Sequence, residues 1–358
     1  MREGEIVGLT PDLAAVHSIA VLRANAMGDY LHSEPALAAL REAAPQARIT
    51  LLGGPWAAAA LPGRPGPVDE VVLLPQLRPD DPALRDRHFD LAIQMHGGGR
   101  NSNLVVSALG AGFTAGFQAA DAPPLDLTIA YQYWQHEVFR YLELAAALGA
   151  PAVRVQPRFA VLEAELAAAD RLLGAADVTG PFAVIHPGAT DPRRRWPPAH
   201  FARVARALQN QGVPVVVVGS EGDIVAEVGE RAAAQPLLDL AFGELVGLLA
   251  RASILVGNDS GPRHLADALG TPTVAVYWCG NMVNAAPVAR RNHRAHISWT
   301  TACPICGCSL VGEPFPLRCS DNVSLVSEVP VDAVVSSTLA LLEADGVLTA
   351  RAWTEVGP

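Results

Sequence analysis

Short apolar runs alternate with Ala/Leu-rich helical stretches, and that alternation begins afresh half-way along; nothing else in the sequence constrains the fold as much. Residues 19–22 read as a buried strand and 34–44 as the helix after it. Residues 49–52, 71–74 and 91–94 read as further strands, and 103–109 and 135–148 as helices. Strands that alternate with helices make a parallel sheet covered on both faces. The pattern then restarts with a helix at 163–173 and a strand at 182–186 that ends in Pro187-Gly188. In the helix at 199–211, Phe201, Val204, Ala205 and Leu208 fall at helical spacing. Strands at 213–218, 254–256 and 273–277 and helices at 242–250, 263–269 and 331–344 complete the second half. The spacing predicts two α/β domains, 1–158 and 159–358, with the last helix free to pack back on the first. Each is expected to be a doubly wound, Rossmann-like sheet facing a central cleft, with ligands beyond the carboxyl ends of the strands.

Composition narrows the partners. The 358 residues are half apolar, enough for two packed cores, and the formal net charge of -10 argues against a nucleic-acid partner. All 26 basic residues are arginine, so an anion site must be built from guanidinium, backbone N–H, hydroxyl or imidazole groups. The first seventeen residues carry Glu3, Glu5 and Asp12 and lack the cationic start and apolar run of a signal peptide. No uninterrupted apolar stretch is long enough for a transmembrane helix. A cytoplasmic location is expected, with peripheral attachment at the inner membrane face as a further option.

Two segments of the second half carry the most chemistry. Residues 257–277, GNDSGPRHLADALGTPTVAVY, run a buried strand into a helix start. Ser260 can cap that helix, Gly261 lets a ligand approach the backbone, and Pro262 suits the first turn. The free N–H groups and the helix dipole favour an anion there, and His264 can add a donor. The plain alternative is a capped helix start without a ligand. Residues 184–198, VIHPGATDPRRRWPP, follow the first strand of that half. His186, Gly188 and Thr190 line its exit, and Arg193, Arg194 and Arg195 form a dense positive patch able to bind phosphate bidentately. A solvated basic loop is the alternative. Following strands of one sheet, both segments can converge on one diphosphate.

HPGATDPRRRWP, then VVVVGSEGD, then LARASILVGNDSGPRHLADALGTPTVAVY resembles glycosyltransferase family 9, which includes the ADP-heptose:lipopolysaccharide heptosyltransferases. LRANAMGDYLHSEPALAAL resembles that family's amino-terminal entry, and the resemblance spans roughly 18–345. It implies the GT-B fold, with the acceptor mostly on the first domain and the donor mostly on the second. It implies an inverting sugar transfer from a nucleotide diphosphate, an ADP-sugar and a heptose being favoured, to a glycan or lipid-linked glycan. No divalent metal or other cofactor is implied for the chemistry. By position Asp29 becomes the catalytic base. Arg195 stands where the family usually has lysine, and Asp259, Ser260, Gly261 and His264 fall on the donor sugar and diphosphate. Gly219, Ser220 and Glu221 fall near the nucleoside. Two departures stand out: arginine for lysine at 195, and WCGNMVNAA over 278–286 in place of the common Phe-Gly-Pro-Thr continuation.

The chemistry needs a base for the incoming hydroxyl, positive charge for the departing diphosphate, and exclusion of water by domain closure. Asp29, read as lying in the loop after the first strand beside Gly28, suits the first task; otherwise it is a helix cap. Gly28, His32, His96, Arg100 and Asn101, the last three from the HGGGRN run at 96–101, are acceptor-side candidates; a flexible loop is the alternative for that run, and packing against the helix is the alternative for His32. Cys303, Cys306, Cys308 and Cys319 form a C-x-x-C-x-C…C pattern able to hold a structural zinc, with His293 and His296 as nearby substitutes; free thiols or a chance disulfide are the alternatives. Cys279 reads as a buried apolar residue. Two other functions compete: a GT-B-fold sugar-nucleotide epimerase, which needs further acid and base groups at the sugar, and a non-catalytic sugar-nucleotide-binding scaffold, against which an intact Asp29 argues.

Overall fold

The computed structural model describes residues 10–311 and 319–348; the acidic start at Glu3 and Glu5 lies outside them. Two units are present. The first runs to Ala160 and takes in Val283–Ala285; the second begins at Val161. No helix among the described residues is long and apolar enough to cross a membrane.

In the first unit the order is β1 (Ser18–Arg23), α1 (Met27–Ala43), β2 (Arg48–Gly53), α2 (Pro55–Ala60), β3 (Glu70–Leu73), β4 (Leu91–Gln94), α3 (Ser102–Ala108), β5 (Phe113–Gln118), β6 (Leu127–Ala130) and α4 (Glu137–Ala147). The strands pair in parallel in the order β3-β2-β1-β4-β5-β6. Ile19, Val21, Leu22, Leu91 and Ile93 are fully buried, as expected where helices cover both faces. The helix read as starting at residue 34 begins a full turn and more earlier, at Met27, which moves Asp29 out of the loop.

The second unit holds α5 (Glu163–Ala175), β7 (Ala183–His186), α6 (Pro198–Asn210), β8 (Val215–Gly219), α7 (Gly222–Ala232), β9 (Gln235–Leu238), α8 (Phe242–Arg251), β10 (Ile254–Asn258), α9 (Gly261–Leu269), β11 (Thr273–Trp278), α10 (Cys279–Ala285, its last three residues counted with the first unit), β12 (His293–Ser298) and α11 (Val331–Ala344). Its parallel sheet runs β12-β11-β10-β7-β8-β9, the same winding as the first. α11 lies on α6 and on β10 to β12 of this unit, where Val334, Leu341 and Leu342 join the core of Ile185, Phe201 and Val256. α9 stops at Gly270, whose φ of 83° provides the left-handed residue that ends the helix.

In each sheet the strand order reverses between two neighbouring strands, β1 and β4 in the first and β7 and β10 in the second. Sheets of this kind place their ligands at that reversal, beyond the strand carboxyl ends.

Candidate functional site

The reversal in the second unit is held by one buried amide. Asn258, the last residue of β10, donates through Nδ2 to the Pro187 carbonyl at 2.7 Å and the Gly188 carbonyl at 3.3 Å. Its Oδ1 accepts the Trp196 N–H at 3.0 Å. The Trp196 ring is fully buried against Phe201, and its Nε1 donates to the Val329 carbonyl at 3.1 Å. The 187–196 loop is thereby tied to the sheet at both ends.

That loop presents three arginines, and each has a carboxylate. Arg193 pairs with Asp191 at 2.7 Å. Arg194 reaches the buried Asp259 at 3.2 Å. Arg195 donates to the Ala189 carbonyl at 2.7 Å and meets Glu221 at 3.3 Å. The Glu221 carboxylate lies over Gly188, where a Cβ would collide with it. Gly219 and Ser220 lead into Glu221 at the end of β8, and Thr190 is exposed.

α9 begins at Gly261 with Ser260 in the capping position. The Ser260 hydroxyl does not cap, however; it turns to His186 Nδ1 at 3.2 Å, across the reversal. Burial pulls His186 down to about 4, against the raising influence of Glu221, so its ring is neutral. His264 differs from the expected phosphate donor. Burial and then the neighbouring Arg263 guanidinium keep its pKa low. The neutral ring accepts from Arg263 at Nδ1 and donates from Nε2 to Asp259 at 3.1 Å. Burial disfavours the Asp259 carboxylate, but His264, Arg194 and Arg263 together hold it below its ordinary value. Arg263 continues to Asp267 at 3.1 Å, and His293 Nε2 lies 3.0 Å from the other Asp267 oxygen. A buried charge network therefore stands beneath the helix start, and the cationic loop stands beside it.

In the first unit the reversal is acidic. Asp29 is the third residue of α1. Its Oδ2 accepts the Ala26 N–H at 3.2 Å, and its Oδ1 meets Arg23 Nη2 at 3.2 Å. The Asp29 side chain remains 42% exposed, whereas that of Arg23 is 3% exposed. Arg23 also donates to the Asp29 carbonyl at 3.1 Å and the Met95 carbonyl at 2.8 Å, and lies 3.4 Å from Glu137. Glu137 in turn takes bonds from Arg140 and the Tyr141 hydroxyl. Burial works against the Arg23 cation, but Tyr141, Asp29 and Glu137 raise its pKa. His96 Nδ1 accepts the Ala24 N–H at 3.3 Å across the reversal, and burial and Arg23 pull His96 down to about 4.

The glycine triplet after His96 is a built turn rather than a loose loop. Gly97 and Gly99 have φ of 67° and 93°, and a Cβ on Gly99 would stand 2.5 Å from the Phe117 carbonyl oxygen. Ser102 and Gln94 both donate to the His96 carbonyl, at 2.9 and 2.8 Å. Arg100 is exposed and paired with Asp121, and Asn101 is exposed at the start of α3. Gly28 is the second residue of α1, and the buried His32 packs edge-on against His136.

Cys303, Cys306 and Cys319 come together with Asp321, their ligand atoms all within 4.8 Å of one another. Cys308 lies beside this group and packs on the small core of Cys303, Leu310 and Leu325. The two expected histidine substitutes lie elsewhere: His293 meets Asp267 and Thr273, and His296 meets Ser337 at 3.0 Å. Cys279 is buried.

Residues 81–306 match the profile of glycosyltransferase family 9 (heptosyltransferase). The chain belongs to that family. This glycosyltransferase is 28% identical over 294 residues to lipopolysaccharide heptosyltransferase 2 of Salmonella typhimurium, covering 72% of this chain and 82% of the relative. Its fold matches the structure of E. coli ADP-heptose lps heptosyltransferase II with a TM-score of 0.70 at 24% identity, over 92% of this chain and 99% of that one. A glycosyl transferase family 9 structure from Veillonella parvula gives 0.68 at 22% identity, over 80% and 87% of the two chains. Both structures share the GT-B architecture of two parallel sheets seen here.

Within the glycosyltransferase, His186, Gly188, Arg194, Arg195, Glu221, Asp259, Ser260 and His264 do collect at one reversal. Sequence reasoning alone does not reach Arg23, Glu137 and Tyr141 around Asp29, Asn258 and Arg263 in the second unit, or Asp321 beside the cysteines. Arg23 has a signal, since it lies in the same amino-terminal motif that supplies Asp29.

Proposed function

We propose that this glycosyltransferase moves a heptose from ADP-heptose to a hydroxyl of the lipopolysaccharide core, with inversion at the anomeric carbon, on the cytoplasmic side of the inner membrane. The names of its relatives support the sugar and the acceptor class. One observation carries the donor assignment: Arg194, Arg195 and the uncapped start of α9 gather at the strand-order reversal of the second unit. The Asp29 carboxylate takes the proton of the acceptor hydroxyl. The oxygen attacks the anomeric carbon as the bond to the β-phosphate oxygen breaks, and ADP departs with the electron pair. Each Asp29 oxygen keeps a lone pair beyond the bonds to Arg23 and Ala26. Guanidinium and helix-terminal N–H groups meet the developing phosphate charge, so no metal is required for the transfer step.

A thermal-shift panel tests this reading. ADP-heptose should raise the melting temperature more than UDP-, GDP- or dTDP-sugars, by the equivalent of about 2.7 kcal/mol at a hundredfold excess over Kd. Added magnesium should leave the shift unchanged. Equal or greater stabilisation by a uridine or guanosine donor overturns the nucleotide assignment, and a magnesium requirement overturns the metal-free step.

A further inference from the structure

We propose that Cys303, Cys306, Cys319 and Asp321 are the ligands of a tetrahedral zinc ion, and that this ion braces the arginine loop of the donor site. The ligand set differs from the four cysteines that the sequence pattern suggests, and the bracing role belongs to neither the transfer reaction nor the motif.

The first half of the site has the backbone of a metal knuckle. In Cys303-Pro-Ile-Cys306-Gly307, the Ile305 N–H points at Cys303 Sγ at 3.4 Å. The Gly307 N–H donates to the Cys303 carbonyl at 2.9 Å, and Gly307 takes a φ of 72°, which favours glycine. The Cys303 N–H donates to the Cys308 carbonyl at 2.9 Å, and Ala302 bridges Ser309 in antiparallel fashion, closing the hairpin. The second half repeats the device, with the Asp321 N–H on Cys319 Sγ at 3.4 Å. N–H groups aimed at sulfur stabilise thiolate, the form that binds metal.

The spacings fit one ion. Asp321 Oδ2 lies 3.4 Å from Cys303 Sγ and 3.2 Å from Cys319 Sγ, and Cys306 Sγ lies 3.4 Å from Cys319 Sγ. A tetrahedron with metal–sulfur bonds of about 2.3 Å has edges of about 3.8 Å, so the four ligand atoms need only small outward shifts to enclose zinc. Three soft thiolates with one carboxylate select zinc over magnesium or calcium. Cys308 is left out of the set, because the four ligand atoms that fall within 4.8 Å of one another are those of Cys303, Cys306, Cys319 and Asp321.

The consequence for the donor site runs through two residues, Ser324 and Leu325. After Cys319 and Asp321, the Ser324 hydroxyl donates to the Arg195 carbonyl at 2.7 Å and the Leu325 N–H donates to the Arg193 carbonyl at 2.8 Å. Leu325 is buried against Cys303 itself. An ion joining Cys303 and Cys306 to Cys319 and Asp321 therefore fixes the strap that sets the main chain of Arg193–Arg195. The site itself is independent of the proposed reaction; its effect on ADP rests on Arg195 belonging to the donor site.

The test uses the full chain, stripped of metal under reducing conditions and titrated with zinc alone. About one equivalent should bind, and X-ray absorption should report three sulfurs and one oxygen at zinc–ligand distances near those of tetrahedral sites. Cys303→Ser and Cys319→Ser should abolish stoichiometric binding, Asp321→Asn should weaken it at least tenfold, and Cys308→Ser should leave it unchanged. Stripping should weaken ADP binding, read by calorimetry, by roughly tenfold, the loss of about one charge-assisted bond, and zinc should restore it. No zinc uptake, or a four-sulfur shell lost in Cys308→Ser, overturns the ligand set. Unchanged ADP affinity after stripping overturns the brace. ADP failing to bind in either state overturns the donor reading instead, with zinc stoichiometry still deciding the site. If Cys303→Ser does not fold, metal stripping and Asp321→Asn, which leave the knuckle backbone intact, separate these outcomes.

Discussion

The two sheets are wound alike and furnished oppositely. At each reversal a neutral histidine bonds across the gap, His96 to the Ala24 N–H in the first unit and His186 to the Ser260 hydroxyl in the second. Around these similar pins the charges invert. The first unit surrounds one buried arginine, Arg23, with Asp29 and Glu137 and leaves the Asp29 carboxylate partly open to solvent. The second buries a carboxylate, Asp259, under Arg194 and His264 and sets Arg195 beside a helix start. One winding thus carries a partly exposed carboxylate at one reversal and a cluster of arginines at the other, and the loop residues decide which.

The largest expected effect separates the two reversals. Asp29→Asn should lower kcat by roughly 10²–10⁴-fold, the range for removing a general base, with ADP affinity nearly unchanged. Because Asn keeps an acceptor for the Ala26 N–H and Glu137 still faces Arg23, the protein should stay folded, with a melting temperature lowered by the loss of the Arg23–Asp29 ion pair. Turnover at the wild-type rate, or lost only through melting, removes Asp29 from the mechanism. The converse variant, Arg195→Ala, should weaken ADP binding by about 10- to 100-fold, the loss of one or two charge-assisted hydrogen bonds. Calorimetric titration reads it directly, and unaltered affinity assigns Arg195 to Glu221 and Ala189 alone.

A smaller effect tests what the reversals share. His96 and His186 are held near 4 in the fold. The unfolded chain takes up their protons at about 6.5, so stability is complete above that pH and falls as the pH drops toward 4. Each histidine contributes at most about 3 kcal/mol to this loss. Scanning calorimetry at several pH values should show the decline. His96→Asn and His186→Asn should each flatten part of it; an unchanged slope in both variants would falsify the shared role.

Sequence periodicity reaches strands that are continuous apolar runs, such as ILVG in β10, which is buried on both faces. It misses β5, β6, β9 and β12. β9, QPLL, is a sheet edge with exposed residues, and β12, HRAHIS, is polar because its histidines face Ser337, Asp267 and Thr273. The start of α1 is hidden for a different reason. Ala26 offers no side-chain cap, Gly28 is a poor helix former and Pro35 sits inside the helix, so local propensity points to a later start than tertiary packing imposes. At the site, motif spacing brings out residues on the strand exits. It cannot show that Arg23 and Glu137, 114 positions apart, meet in one ion pair, or that Asp321 joins the cysteines.

Asn258 gives the strand-order reversal of the second unit a single point of failure. One side-chain amide holds the exits of two strands and the tryptophan that ends the arginine loop. Conversion to aspartate, whether by codon change or by slow hydrolytic deamidation as the protein ages, keeps the size of the side chain and removes both donations. Two carbonyls would then confront a carboxylate. The polarity of the joint would reverse at a fully buried position, so an aged or drifted copy would be expected to lose stability together with the shape of the arginine loop.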